Sequence, residues 1–155
     1  MERSQNIIKF LEELKEDHVL FEEADFSDIN WCNCEGENAL HIAVIRGEYD
    51  ICKELIKLGI ELNVRGDLGH TPLHEAASSQ NLKFVKLLVE AGADVHALNE
   101  GVPPFTLARY ENKDDICDFL GQAMKASQSK GPEWAKAQIS YLEREIERIK
   151  NANGL

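Results

Sequence analysis

The chain has 155 residues, a formal charge of −11, and a composition that is 43% hydrophobic and 29% charged. That length suits one domain with a real core, and that mixture describes a soluble globular chain rather than a disordered one. The acidity argues against nucleic acid, whose phosphates need lysine and arginine to neutralise them, and no apolar run approaches the roughly 18 residues that span a bilayer.

In chain order, the first predicted element is a helical cap over residues 1–27. Ile7, Ile8, Phe10, Leu11 and Leu14 recur at helical spacing behind Ser4, an N-cap residue type, and Val19, Leu20, Phe21 and Ala24 predict a shorter second helix. The first 30 residues carry nine acids against three basic residues, which is more than half of the net charge. Such a surface favours a basic partner, or simply solubilises the end of the molecule. The start is too acidic, and its apolar stretch too short, for a secretory signal.

From residue 30 the chain repeats itself. "NWCNCEGENALHIAVIRGEYDICKELIKLGIELN" aligns with the stretch beginning at Asn63 at a shift of 33, so that Leu40 matches Leu73, His41 matches His74, Ala43 matches Ala76, Leu55 matches Leu88 and Gly59 matches Gly92. A third copy follows at a shift of 32, with Pro104 in the place of Pro72, Ala108 of Ala76, and Ile116 and Cys117 of Phe84 and Val85. In the middle copy Gly69 permits a tight turn, Thr71 is a capping residue, and Pro72 suits a first helical position. Leu73, Ala76 and Ala77 give that helix a thin apolar face. Phe84, Val85, Leu87, Leu88 and Val89 predict a second helix, and Gly92 is its expected left-handed stop. One such pair cannot bury its apolar face alone, but a stack can. Asn38 is a sound cap in the first copy. In the third, Pro103 stands at the capping position and Met124 at the stop, which predicts a divergent, more weakly held end unit.

The pattern Gly69, Thr71-Pro72-Leu73-His74, Ala76-Ala77 through Leu87-Leu88 to Gly92-Ala93-Asp94-Val95 closely resembles the ankyrin repeat. The departures are Gly66 for the acidic residue usual at the turn, His96 for the usual Asn, and Thr106 for the usual His. The resemblance implies an all-α fold, an ankyrin-repeat solenoid of stacked helix-turn-helix units with short hairpin or turn connections, over residues 28–126. It implies that His41 and His74 hydrogen-bond around the turn and helix start rather than act as an acid/base pair. It also implies a non-enzymatic protein–protein interaction module, whose hairpin tips and first helices line one concave surface. Candidate partner-binding residues there are Trp31, Glu35, Glu37, Ile45 and Arg46 in the first copy. The second contributes Arg65, Asp67, Leu68, His70, Ser78 and Ser79, and the third Glu100, Val102, Tyr110 and Glu111. Ile45, Leu68, Val102 and Tyr110 would form an apolar strip in an acidic surround, calling for a protein partner of basic character. Trp31 either stands exposed as an anchor or packs under the first hairpin.

Beyond the repeats, "SQSKGPE" (127–133) reads as a linker, and residues 134–155 predict an amphipathic helix. Its seam, Ala135, Ile139, Leu142, Ile146 and Ile149, alternates at spacings of four and three, as in a coiled coil. Just over two heptads are marginal alone, leaving three fates open: docking on the repeats, a homodimer through residues 134–150, or an external partner.

No catalytic, cofactor or metal site is expected. Cys32, Cys34 and His41 lack a fourth ligand at a zinc-site spacing, and Cys52 and Cys117 fall on apolar helix positions that predict core thiols. No phosphate loop, dinucleotide fingerprint or nucleophile elbow occurs. Four cysteines without a framework spacing point to a reducing compartment, the cytoplasm. That would be a host cell's cytoplasm were the chain a secreted bacterial effector, as some ankyrin-repeat proteins are.

Overall fold

The computed structural model describes residues 3–17, 19–79 and 81–128. They contain seven α-helices and isolated β-bridges at two hairpins, Cys32 to Asn38 and Asn99 to Val102. The described residues divide into two compact units after Gly121, and the packing that follows lies within the first.

Helix α1 (Gln5–Asp17) starts where the sequence predicts, with Ser4 Oγ accepting from the Ile7 N–H at 3.3 Å. Its stripe is buried at Ile7, Phe10, Leu11 and Leu14. The expected second helix of the cap is instead a single 3₁₀ turn, Val19–Phe21. Only Phe21 and Ala24 of its four apolar residues are buried, while Val19 is 85% exposed. Phe21 joins Phe26 and Trp31 in an aromatic cluster, with centroids 5.6–6.2 Å apart, and the chain bends to make it rather than continuing as a helix.

Three helix pairs follow: α2 (Ala39–Ile45) with α3 (Tyr49–Lys57), α4 (Pro72–Ser78) with α5 (Leu82–Ala91), and α6 (Pro104–Tyr110) with α7 (Asp114–Gln128). The first helices α2, α4 and α6 pack side by side in one layer, and α1, α3 and α5 pack in a second. Thin faces let the first layer close up, because Ala39, Ala43, Ala76, Ala77 and Ala108 are all buried where it meets. Leu40, Leu55, Leu73, Phe84, Leu88, Ile116 and Leu120 fill the space between layers. The turn between paired helices needs a left-handed residue. Gly47 supplies it in the first pair (φ 75°) and Asn112 in the third (φ 55°).

Gly92 caps α5 in the left-handed conformation (φ 103°), as expected. No such stop follows in the third copy, and α7 runs on through Met124 to Gln128. Cys117 departs from expectation. It is half-exposed, because Ile116 and Leu120, one turn apart, take the core face of α7. Apart from Ser127 and Gln128, which continue α7, the linker expected over 127–133 and the helix over 134–155 lie outside the described residues.

Candidate recognition face

Each hairpin is shaped by its own sequence. Asn33 closes the first: its N–H bonds the Glu37 carbonyl at 2.9 Å, and its Oδ1 accepts from the N–H groups of Glu35 and Glu37 at 3.0 and 2.9 Å. In the second, Gly66 and His70 are joined at 2.7 Å, with Leu68 (φ 53°) and Gly69 (φ 77°) left-handed at the tip. The third is one residue shorter. Glu100 (φ 46°) and Gly101 (φ 86°) make a two-residue turn with both φ positive, the geometry that matches strand twist, and this accounts for the 32-residue shift.

Two buried histidines hold hairpins to helices. The Nδ1 of His74 receives the Thr71 N–H at 3.2 Å and lies 2.9 Å from the Thr71 hydroxyl, so Nε2 carries the proton and donates to the Val102 carbonyl of the next unit at 3.2 Å. His41 does the same one unit earlier, with Asn38 N–H to Nδ1 at 3.2 Å and Nε2 to the His70 carbonyl at 3.1 Å. Desolvation on burial disfavours the protonated ring in both, outweighing the attraction of the Glu75 carboxylate for His41. It lowers the pKa of His41 and brings that of His74 down to about 4. With both nitrogens engaged, neither histidine is open to a metal or a substrate. A second relay runs beside the first: Asn30 Oδ1 accepts from the Glu61 N–H at 2.7 Å, and Asn63 Oδ1 from the Asp94 N–H at 2.8 Å.

The predicted recognition residues fall into three groups. Glu35, Ile45, Arg46, Asp67, Leu68, Glu100, Tyr110 and Glu111 are exposed. Ile45 and Tyr110 occupy equivalent positions, closing α2 and α6 on either side of α4, and Leu68 stands on the middle tip. A second group is tied into the scaffold. Glu37 accepts from Asn33 Nδ2 at 3.0 Å, and His70 bonds Glu75 at 2.7 Å and stacks on His74 with centroids 5.5 Å apart. Exposed Arg65 donates to the Leu98 carbonyl, while the hydroxyls of Ser78 and Ser79 turn back onto the carbonyls of Glu75 and Ala76 at 3.0 and 2.7 Å. Val102 is half-buried, its carbonyl committed to His74. Trp31 is half-buried, with its ring braced on Phe21 and Phe26 of the N-terminal cap.

Cys34 is exposed, and Cys32 bonds the Asn30 carbonyl at 3.3 Å. Cys52 is buried in α3, and desolvation pushes its thiol up to about 12, far from a reactive thiolate. Sequence reasoning missed Leu98, which is 49% exposed beside the middle tip, and Val19. Val19 lies in the cap, where its apolar character predicts burial, and Leu98 lies outside the positions assigned to the recognition face.

Side-by-side helix pairs, joined by equivalent histidine and asparagine bonds one period apart, define an all-α repeat protein that presents a surface. A family model described as ankyrin repeats (3 copies) matches residues 2–99, and the chain belongs to that family. It is 41% identical over 80 residues, half of its length, to the alpha-latrocrustotoxin-Lt1a of Latrodectus tredecimguttatus, covering 6% of that protein. It is 30% identical over 110 residues, or 68% of its length, to the tyrosine-protein kinase Shark of Drosophila melanogaster, covering 12% of it. With the protein phosphatase 1 regulatory subunit 27 of Mus musculus it shares 37% over 90 residues, 57% of the chain and 58% of the relative. The chain thus spans only a small part of the first two. Ankyrin repeats generally mediate protein–protein interaction. No helix among the described residues is long and apolar enough to cross a membrane.

Proposed function

We propose that the chain is a non-enzymatic, cytoplasmic module that holds one protein partner against its hairpin tips and the ends of its first helices. The observation that carries this reading is the exposure of Ile45, Leu68 and Tyr110, at 57%, 69% and 70%, on a face whose scaffold is fixed by the histidine relay. Apolar side chains held open on rigid elements bind with little ordering cost. Exposed Glu35, Asp67, Glu100 and Glu111 around them favour a basic partner.

The test is capture of a partner from lysate by the wild-type chain and by the Ile45→Ala, Leu68→Ala, Tyr110→Ala triple variant. Stability within about 0.5 kcal/mol of wild type is expected, because all three side chains face solvent. Loss of the captured protein supports the reading; undiminished capture by the folded variant overturns it.

The seam at Ala135, Ile139, Leu142, Ile146 and Ile149 favours a second reading, an oligomerising subunit joined through its C-terminal helix. Light scattering on the full chain and on one ending at Gln128 decides it. A dimer that becomes monomeric on truncation supports this second reading, and a monomer in both cases removes it.

A further inference from the structure

We propose that the cleft between the N-terminal turn and the first hairpin docks a peptide segment bearing one apolar side chain flanked by lysine or arginine. The cleft has a volume of about 240 Å³ and is lined by Val19, Leu20, Glu22, Glu23, Trp31 and Cys34. Cofactor and drug-sized pockets run from about 300 to 1,000 Å³, so this one suits a single side chain with its neighbours rather than a small molecule. Its apolar wall is already built. The Trp31 indole packs on Phe21 at 5.6 Å and Phe26 at 6.1 Å, both rings buried, so no ordering is needed before contact. Val19 beside it is 85% exposed, an apolar side chain that the fold leaves uncovered.

The rim sets the partner's charge. Glu22 and Glu23 are both exposed, and neither is in an ion pair among the described residues. Two such carboxylates beside an indole attract a cation twice over, through charge and through the ring face. An acidic segment would meet repulsion at the same place. The cleft adjoins the first hairpin of the face proposed above, but none of Ile45, Leu68 and Tyr110 lines it, so the two sites are tested separately.

The test uses the full chain carrying Trp134→Phe, which leaves Trp31 as the sole indole. An eight-residue peptide with a central leucine between two pairs of arginines is titrated, and then its twin with glutamates. Binding is read from Trp31 fluorescence and amide NMR shifts. The arginine peptide is expected to shift Trp31 and the amides of Val19, Leu20, Glu22, Glu23 and Cys34 saturably. Glu22→Gln with Glu23→Gln is expected to weaken it by about three- to tenfold, and added salt to do likewise. Val19→Ser, at a solvent-facing position that the fold does not need, removes the apolar contact without changing the charge and should weaken the response by about tenfold while leaving the remaining spectrum unchanged. The proposal is overturned if the glutamate twin binds equally well, if the Val19→Ser chain binds like wild type, or if no saturable shift falls on the cleft. Shifts confined to Ile45, Leu68 and Tyr110 also overturn it, while supporting the other site.

Discussion

His74 and Thr71 meet in every respect that a histidine at a helix start can use: the ring accepts from a backbone N–H on one side and donates to a carbonyl of the next unit on the other. The charged ring has no place in that arrangement, since Nδ1 must stay an acceptor. An unfolded chain regains an ordinary histidine near 6.5, whereas the folded one titrates near 4, so the unfolded state binds more protons between those values. Stability from this residue is therefore complete above pH 6.5 and lost as pH falls toward 4. The loss amounts to about 3 kcal/mol. His41 acts in the same direction. Urea midpoints across pH 4–7 should fall in the wild type. They should fall less steeply in His74→Gln, which keeps one donor and one acceptor but cannot titrate. An unchanged slope would mean that other groups carry the pH dependence. The histidine's role was legible in the sequence through the resemblance to the ankyrin repeat, in whose motif His41 and His74 both stand. The fates of Ser78 and Ser79 were not, since whether a hydroxyl faces a partner or folds back on its own helix depends on local backbone geometry.

Glycine separates the elements in two opposite ways. At Gly66 a Cβ would lie 2.8 Å from Glu37 Cγ and 3.1 Å from His41 Nε2, so the second hairpin reaches the first only because that side chain is missing. Glu37 can swing aside, but the His41 ring is pinned by its bonds. Gly66→Ala should cost about 1–3 kcal/mol in chemical denaturation. Gly121 is the contrast: inside α7, a Cβ there would meet, among the described residues, only Phe105, at an ordinary 3.6 Å. Gly121→Ala should stabilise by about 0.5–1 kcal/mol through helix propensity alone. Equal signs for the two substitutions would refute this account. The departure at Gly66 from the usual acidic residue was visible in the sequence, while its steric reason lies in a neighbour 29 residues upstream. The end of the array was half legible. Pro103 and Met124 announced a divergent unit, and the loss of the stop appears as α7 running on to Gln128. The cap's second helix was misjudged because four apolar residues satisfy a helical pattern even where an aromatic cluster draws the chain into one 3₁₀ turn.

Across the first unit as a whole, stability is shared between neighbours. Each helix pair hands a histidine bond and an asparagine bond to the next, and His41 reaches His74 through His70, to whose carbonyl one donates and upon whose ring the other stacks. Repeat arrays behave as chains of nearest-neighbour terms. A double-mutant cycle between His41→Gln and His74→Gln should therefore show a coupling of about 0.5–1 kcal/mol rather than simple additivity. Additive effects in urea unfolding would show that the units stand independently. The sequence by itself determined the period, the helix pairs, the buried histidines and the ankyrin-repeat family, because these are written in residues that recur wherever the same backbone must be built. Tertiary structure alone decided which variable side chains stay open. Ile45, Leu68 and Tyr110 remained exposed, Glu37, His70 and the serines were drawn into the scaffold, and Trp31 was braced against Phe21 and Phe26 beside an uncovered Val19. The physical reason is that a surface residue's freedom depends on what the neighbouring unit places within hydrogen-bonding or van der Waals reach, and a single unit's sequence does not contain its neighbour.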